Sequence, residues 1–218
     1  MEAMTQNELF NTSDFEAVFR LCETARRHHL MVGLIGDTGT GKTTSTKAFA
    51  QKRNVIRISY EKSMNPRLFF SSLLKTMNVD FEGRVYSEVD MIADLLNRMD
   101  NPLLIIDEAG KIPHALFLHL HDLRERTKDK AGIVLAGMPY FKSNLQKFAN
   151  RGKEGCSEFL RRINLWHELE GLSTKEAKAV SEANGINDPE RLSELSRKRR
   201  FGDLMNEILL DKVMMEEM

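Results

Sequence analysis

The sequence predicts an α/β fold: a parallel sheet flanked by helices, with a small helical segment towards the C-terminal end. Three observations carry that expectation. Short apolar runs of strand length alternate with amphipathic helical stretches, the pattern of a parallel sheet. The first of these runs, Leu30-Met31-Val32-Gly33-Leu34-Ile35, leads into a glycine-rich turn and then a helical stretch. After Gly171 the strand pattern stops, and the remainder reads as helix.

The elements follow in order. Residues 1–12 read as an arm. Ser13-Asp14-Phe15-Glu16 has the spacing of a capping box, and Phe15, Val18, Phe19 and Cys22 recur at helical period up to Arg26-Arg27-His28-His29. Leu30–Ile35 is the first strand. Asn54-Val55-Ile56-Arg57-Ile58-Ser59-Tyr60 alternates β-branched with polar residues and reads as the second. Asn65-Pro66 caps a helix through about Met77. Ser87-x-x-Asp90 opens another to about Met99, with Val89, Ile92, Leu95 and Leu96 as its buried stripe. Leu103-Leu104-Ile105-Ile106 is a continuous apolar run ending in Asp107-Glu108, as a buried parallel strand would read. A helix over 113–128, a strand over 132–137, a helix over 140–149, a glycine- and charge-rich loop over 150–157 and a last strand over 163–169 complete the alternation. Beyond it, Ser173-x-x-Glu176 is a second capping box and Asp188-Pro189 another helix start, while Met214-Met215-Glu216-Glu217-Met218 reads as a frayed end.

Composition narrows the function classes. The chain has 218 residues, 41% hydrophobic and 29% charged, as a soluble globular protein does. Its formal net charge is zero, so polyanions would have to be met by a local patch. Cys22 and Cys156 lack metal-site spacing and read as reduced thiols, pointing to a cytoplasmic protein. The polar, acidic start is not a signal peptide, and no apolar run approaches the ~20 residues of a membrane span, so no membrane partner is expected.

Chemistry concentrates at Gly36-Asp37-Thr38-Gly39-Thr40-Gly41-Lys42-Thr43-Thr44, a G-x-x-x-x-G-K-T loop between strand and helix. Such glycines let backbone amides turn inward, and the following helix adds its positive end, making an anion cradle. Lys42 is placed to reach the β- and γ-phosphates of ATP, and the Thr43 hydroxyl to ligate Mg²⁺. Asp107-Glu108 at the end of an apolar strand complements the loop. Asp107 is expected to hold Mg²⁺, and Glu108 to activate the attacking water, a division of labour suited to hydrolysis. Together these are a P-loop NTPase core. Hydrolysis also benefits from a cation at the γ-phosphate, often an arginine from a neighbouring subunit. Arg161 and Arg162 lead, with Arg151 and Lys153 behind them.

With both motifs placed, the chain resembles AAA+ ATPases, and within them the compact MuB, TnsC and TniB group of ATP-dependent target-DNA activators in transposition. The resemblance runs from Thr12 to about Leu172. Its carriers are Thr12-Ser13-Asp14-Phe15, the Gly33–Thr43 stretch, Ile105-Ile106-Asp107-Glu108-Ala109, Ile133-Val134-Leu135-Ala136-Gly137-Met138-Pro139 and Leu160-Arg161-Arg162-Ile163. It implies sheet order 5-1-4-3-2, a core over 13–171 and a helical lid over 172–218. It also implies ATP between protomers, self-association into rings or filaments on duplex DNA, and recruitment of a transposase. Arg162 is the better match to the finger position, with Arg161 close behind. The chain departs from the pattern at Gly137-Met138, where a polar sensor is common. No lid arginine is evident in Phe201-Gly202-Asp203-Leu204-Met205 either, and both departures point to slow or partner-dependent hydrolysis.

Candidates for contact with DNA phosphates are the dense run Arg197-Lys198-Arg199-Arg200 and, behind it, Arg67 and Lys75 together with Lys111, Arg124, Arg126, Lys128 and Lys130. For any one of them a solvated face with local ion pairs is the plain alternative. Two other functions share the core: a helicase loader of the DnaC/IstB type, and a nucleotide-gated DNA-binding scaffold with little hydrolysis.

Overall fold

In a computed structural model, which describes residues 10–216, five parallel strands form one sheet of order β2-β3-β4-β1-β5. This is the expected 5-1-4-3-2 order read from the other edge. The elements are α1 (Ser13–Arg27), β1 (Met31–Ile35), α2 (Lys42–Phe49), β2 (Val55–Ser59), α3 (Pro66–Thr76), α4 (Val85–Arg98), β3 (Leu103–Asp107) and α5 (His114–Thr127). They continue with β4 (Gly132–Gly137), α6 (Tyr140–Asn150), α7 (Cys156–Arg162), β5 (Leu165–Glu168), α8 (Thr174–Ala183), α9 (Pro189–Leu195) and α10 (Phe201–Glu216). Positions 1–9 of the expected arm, and the last two residues, lie outside the described part.

The chain divides into two compact units. One comprises Val18–Asp37 and Lys42–Leu169; the other comprises the described parts of Met1–Ala17 and Glu170–Met218, together with Thr38–Gly41.

The first unit is a sheet between two helical layers. Strands β1, β3 and β4 are buried throughout, so they read as unbroken apolar runs. One face carries Met31, Ile56, Ile58, Leu104, Ile106, Ile133 and Leu135 against the apolar stripes of α3, α4, α5, α6 and α7. The other carries Val32, Leu34, Leu103, Ile105, Val134 and Ala136 against Val18, Leu21, Cys22 and Ala25 of α1 and Phe49 of α2. Full burial of each Leu or Ile contributes roughly 1.5–3 kcal/mol. In the middle of β1, a Cβ on Gly33 would stand 2.2 Å from Cε3 of Trp166. Gly33→Ala is therefore expected to destabilise the domain by about 1–3 kcal/mol, measured by chemical denaturation, through overpacking between β1 and β5.

The second unit has its own core of Leu172, Ala177, Val180, Ile186, Leu192, Leu195, Leu204 and Ile208, joined by Phe10, Phe201 and Met205. Arg191 binds Asp211, Glu207 and Glu194, tying α9 to α10. Glu176 accepts from the backbone N–H of Ser13 at 2.6 Å and from the backbone and hydroxyl of Ser173 at 2.7 and 2.6 Å. Burial alone would raise its carboxyl, but these hydrogen bonds outweigh it and hold it at about 2. Glu176 thus adds stability above its unfolded value of about 4.5 that is lost as pH falls towards about 2. Glu176→Gln is expected to cost about 1–2 kcal/mol at neutral pH after solvent screening. The gap to the parent protein should close across that acid window in urea titrations.

Four expectations change. The first helix is capped by Thr12, whose hydroxyl accepts from Phe15 N–H, and Ser13 is already helical, its N–H claimed by Glu176. Helix α4 begins at Val85, so Ser87 lies inside it and Ser87-x-x-Asp90 caps nothing. Helix α7 takes the last two residues of the stretch read as loop and runs on to Arg162, just short of the expected last strand. The tail expected to fray is helical as far as Glu216.

Candidate nucleotide-binding site

The loop leaves β1 at Gly36, whose N–H donates to the Gly137 carbonyl at 3.3 Å. Gly39 and Gly41 take φ of 79° and 91°, where a side chain would be strained, and turn the chain into α2 at Lys42. Lys42 folds back: its ammonium donates to the carbonyls of Gly36 at 2.7 Å and Asp37 at 2.8 Å. Burial pushes this amine below its ordinary value, partly offset by Asp107, Glu108 and Asp37. Thr38, Thr40 and Thr44 complete the loop and the first turn of α2.

The two motifs meet on one carboxylate. Strand β3 delivers Asp107, 2% exposed. Its Oδ2 accepts from the Thr43 hydroxyl at 2.9 Å, and its Oδ1 from the Glu108 N–H at 2.9 Å. Hydroxyl and carboxylate oxygens are the hard donors that Mg²⁺ takes, so Thr43 and Asp107 fit the ion. Glu108 stands in left-handed backbone, φ 59° and ψ 31°, a conformation costing a non-glycine residue about 1–2 kcal/mol. Its carboxylate is 39% exposed and pairs with Lys111 at 3.1 Å.

Sequence reasoning passed over Arg57. From β2, its guanidinium reaches Asp107 Oδ2 at 2.5 Å and the Thr46 hydroxyl at 3.3 Å. Alternation marks Arg57 only as a polar strand position. What brings it to Asp107 is the β2–β3 register, which sets Ser59 opposite Asp107.

The other candidates lie elsewhere. Arg162 pairs with Glu125 at 2.5 Å and is half-buried, whereas its neighbour Arg161 is exposed and forms no ion pair among the described residues. Arg67 and Lys75 are exposed on α3. Arg84, absent from the sequence-based candidates, lines an open groove with Arg67, Glu82, Gly83 and Val85. In the run 197–200, Lys198 is occupied by Glu207 at 2.6 Å and Arg199 donates to the Glu170 carbonyl at 3.2 Å. Arg124 is buried and serves the carbonyls of Ala131 and His29, so it cannot meet a phosphate. Arg126 is engaged with Asp90 and stacks on Tyr86.

A family profile described as an AAA domain matches residues 25–145, more than half of the chain. The chain belongs to the AAA domain family. Among solved structures, this AAA domain is similar to the Aeropyrum pernix ORC1 protein in complex with DNA. The TM-score is 0.66 at 15% identity, over 96% of this chain and 62% of that one. It is also similar to the Aeropyrum pernix ORC2 protein, solved as ADPNP–ADP complexes, with a TM-score of 0.64 at 15% identity over 90% of this chain and 59% of that one. A third is the replication initiator DnaA bound to AMPPCP and single-stranded DNA, with a TM-score of 0.59 at 18% identity over 94% and 62%. The AAA domain thus spans about 60% of the length of these proteins. None of the curated proteins compared matches it significantly. These likenesses establish the fold, a parallel AAA+ P-loop sheet. Among the described residues no helix is long and apolar enough to cross a membrane.

Proposed function

We propose that this AAA domain is a slow ATPase that assembles on duplex DNA in its ATP state and recruits a transposase, as a cytoplasmic target-DNA activator of the MuB/TnsC/TniB kind. The observation that carries the ATPase part is the Thr43–Asp107 hydrogen bond, which joins both nucleotide motifs in one site. The loop amides and Lys42 bind the β- and γ-phosphates, with Lys42 giving up two carbonyls for phosphate oxygens. Mg²⁺, held by Thr43 and Asp107, would neutralise charge between those phosphates. Glu108 leaves Lys111, orients the attacking water and takes its proton. Arg161, exposed at the end of α7, reaches the γ-phosphate of a neighbouring copy, while Arg162 stays with Glu125. Mixing Arg161→Ala with Glu108→Gln subunits tests that reach, because some junctions then regain both groups; hydrolysis that stays absent in the mixture overturns it.

The DNA part is supported by exposed Arg67, Lys75 and Arg84 and by Arg197 and Arg200. The DNA complexes of two fold neighbours, ORC1 and DnaA, support it as well. Residues 13–171 act as the ATPase core and 172–218 as a lid. Co-sedimentation with duplex DNA at low salt decides the matter: ATP should drive co-assembly and ADP should not, and absence of co-assembly sinks the reading. A second reading is favoured by the fold likeness to the replication initiator DnaA: a helicase loader of the DnaC/IstB type. Retention of a replicative helicase, rather than a transposase, in a pull-down would select it. If the protein were instead a scaffold with little hydrolysis, Glu108→Gln would leave DNA release unchanged.

A further inference from the structure

Resting on the nucleotide-binding reading above, we propose that Arg57 is a built-in countercation for Asp107, keeping divalent cations out of the empty site until nucleotide arrives. Asp107 is 2% exposed, and a carboxylate so buried needs a charge partner. Arg57 supplies it, its own side chain 14% exposed. The oxygen it holds, Oδ2, is the one that the Thr43 hydroxyl also reaches. The carboxylate fitted to ligate Mg²⁺ therefore already faces a full positive charge. Lys42, whose ammonium feels Asp107, adds a second.

A divalent ion entering alone must displace the guanidinium or share Oδ2 with it against like-charge repulsion. Phosphates entering with the ion change the balance. They draw Lys42 from its carbonyls and bring negative charge that offsets the repulsion. Strand β2 lies at the edge of the sheet, next to β3, and the Arg57 side chain keeps a partial opening to solvent, through which it can withdraw from Asp107. The second contact of Arg57, with Thr46 on α2, ties its position to the helix that starts at the phosphate loop.

The probe is Mn²⁺, followed by electron paramagnetic resonance on the intact protein without nucleotide. The parent protein is expected to bind it weakly, and Arg57→Gln at least about tenfold more tightly. Adding Asp107→Asn to Arg57→Gln should abolish the gain. Arg57→Lys keeps the charge and should keep Mn²⁺ binding weak. Equal Mn²⁺ affinities in parent and Arg57→Gln overturn the proposal, as does a gain that survives Asp107→Asn. If Arg57→Gln does not fold, tight Mn²⁺ binding by the nucleotide-free parent overturns it without any variant. Calorimetry with ADP in EDTA judges the phosphate cradle separately: a parent that ignores ADP there and with Mg²⁺ fails the nucleotide reading, whereas a parent that binds ADP while taking Mn²⁺ tightly alone fails only the role of Arg57.

Discussion

Glu108→Gln is expected to lower the rate of the proposed ATP hydrolysis by about 10²–10⁴-fold while leaving nucleotide affinity within a few fold, the signature of a lost general base. The amide keeps the size of the side chain and can still orient water, but it cannot take the proton. The surface pair with Lys111 is worth at most about 1 kcal/mol, so its loss does not confound the rate. Single-turnover hydrolysis with nucleotide affinity measured in parallel checks both halves. A companion variant, Glu108→Gly, removes the same base and relieves the left-handed backbone. It should be no less stable than the parent, and by up to about 1 kcal/mol more so. A Glu108→Gln rate within threefold of the parent would remove Glu108 from the chemistry and favour the scaffold reading.

Lys42→Ala is expected to weaken ATP binding by about a hundredfold or more, because the proposed charged hydrogen bond to phosphate would be lost with nothing to replace it. The fold should hold. Lys42 donates to the Gly36 and Asp37 carbonyls, which water can serve in its place. Titration with a fluorescent ATP analogue reads the affinity, and thermal unfolding in the absence of nucleotide checks the fold. Unchanged affinity would mean that the cradle binds no triphosphate.

What the sequence made legible was local or strongly periodic. The strands β1, β3 and β4 are buried on both faces and read as apolar blocks. Lys42, Thr43, Asp107 and Glu108 lie in two contiguous motifs, so their meeting needs no knowledge of register. Arg57 does need it, since only the β2–β3 pairing brings it to Asp107. Thr12-Ser13-Asp14 offers three capping side chains in a row, and a partner distant in sequence, Glu176, removes the Ser13 N–H from the contest. At α4 the Ser87 spacing mimics a cap, but the buried positions Glu88, Val89 and Ile92 continue a helix already under way at Val85. The seven residues of α7 are too few to show a helical period. Lys198 looked free in a basic run because its partner Glu207 follows nine residues later, across a turn whose path no motif announces.

The clasp of Glu176 on Ser13 and Ser173 also dictates when parts of the molecule can mature during synthesis. Residues 10–17 are synthesised more than 150 residues ahead of Glu170 onwards, the stretch with which they form one unit. The sheet can close while this segment waits, so slow elongation over α8 to α10 would lengthen its exposure to proteases and chaperones.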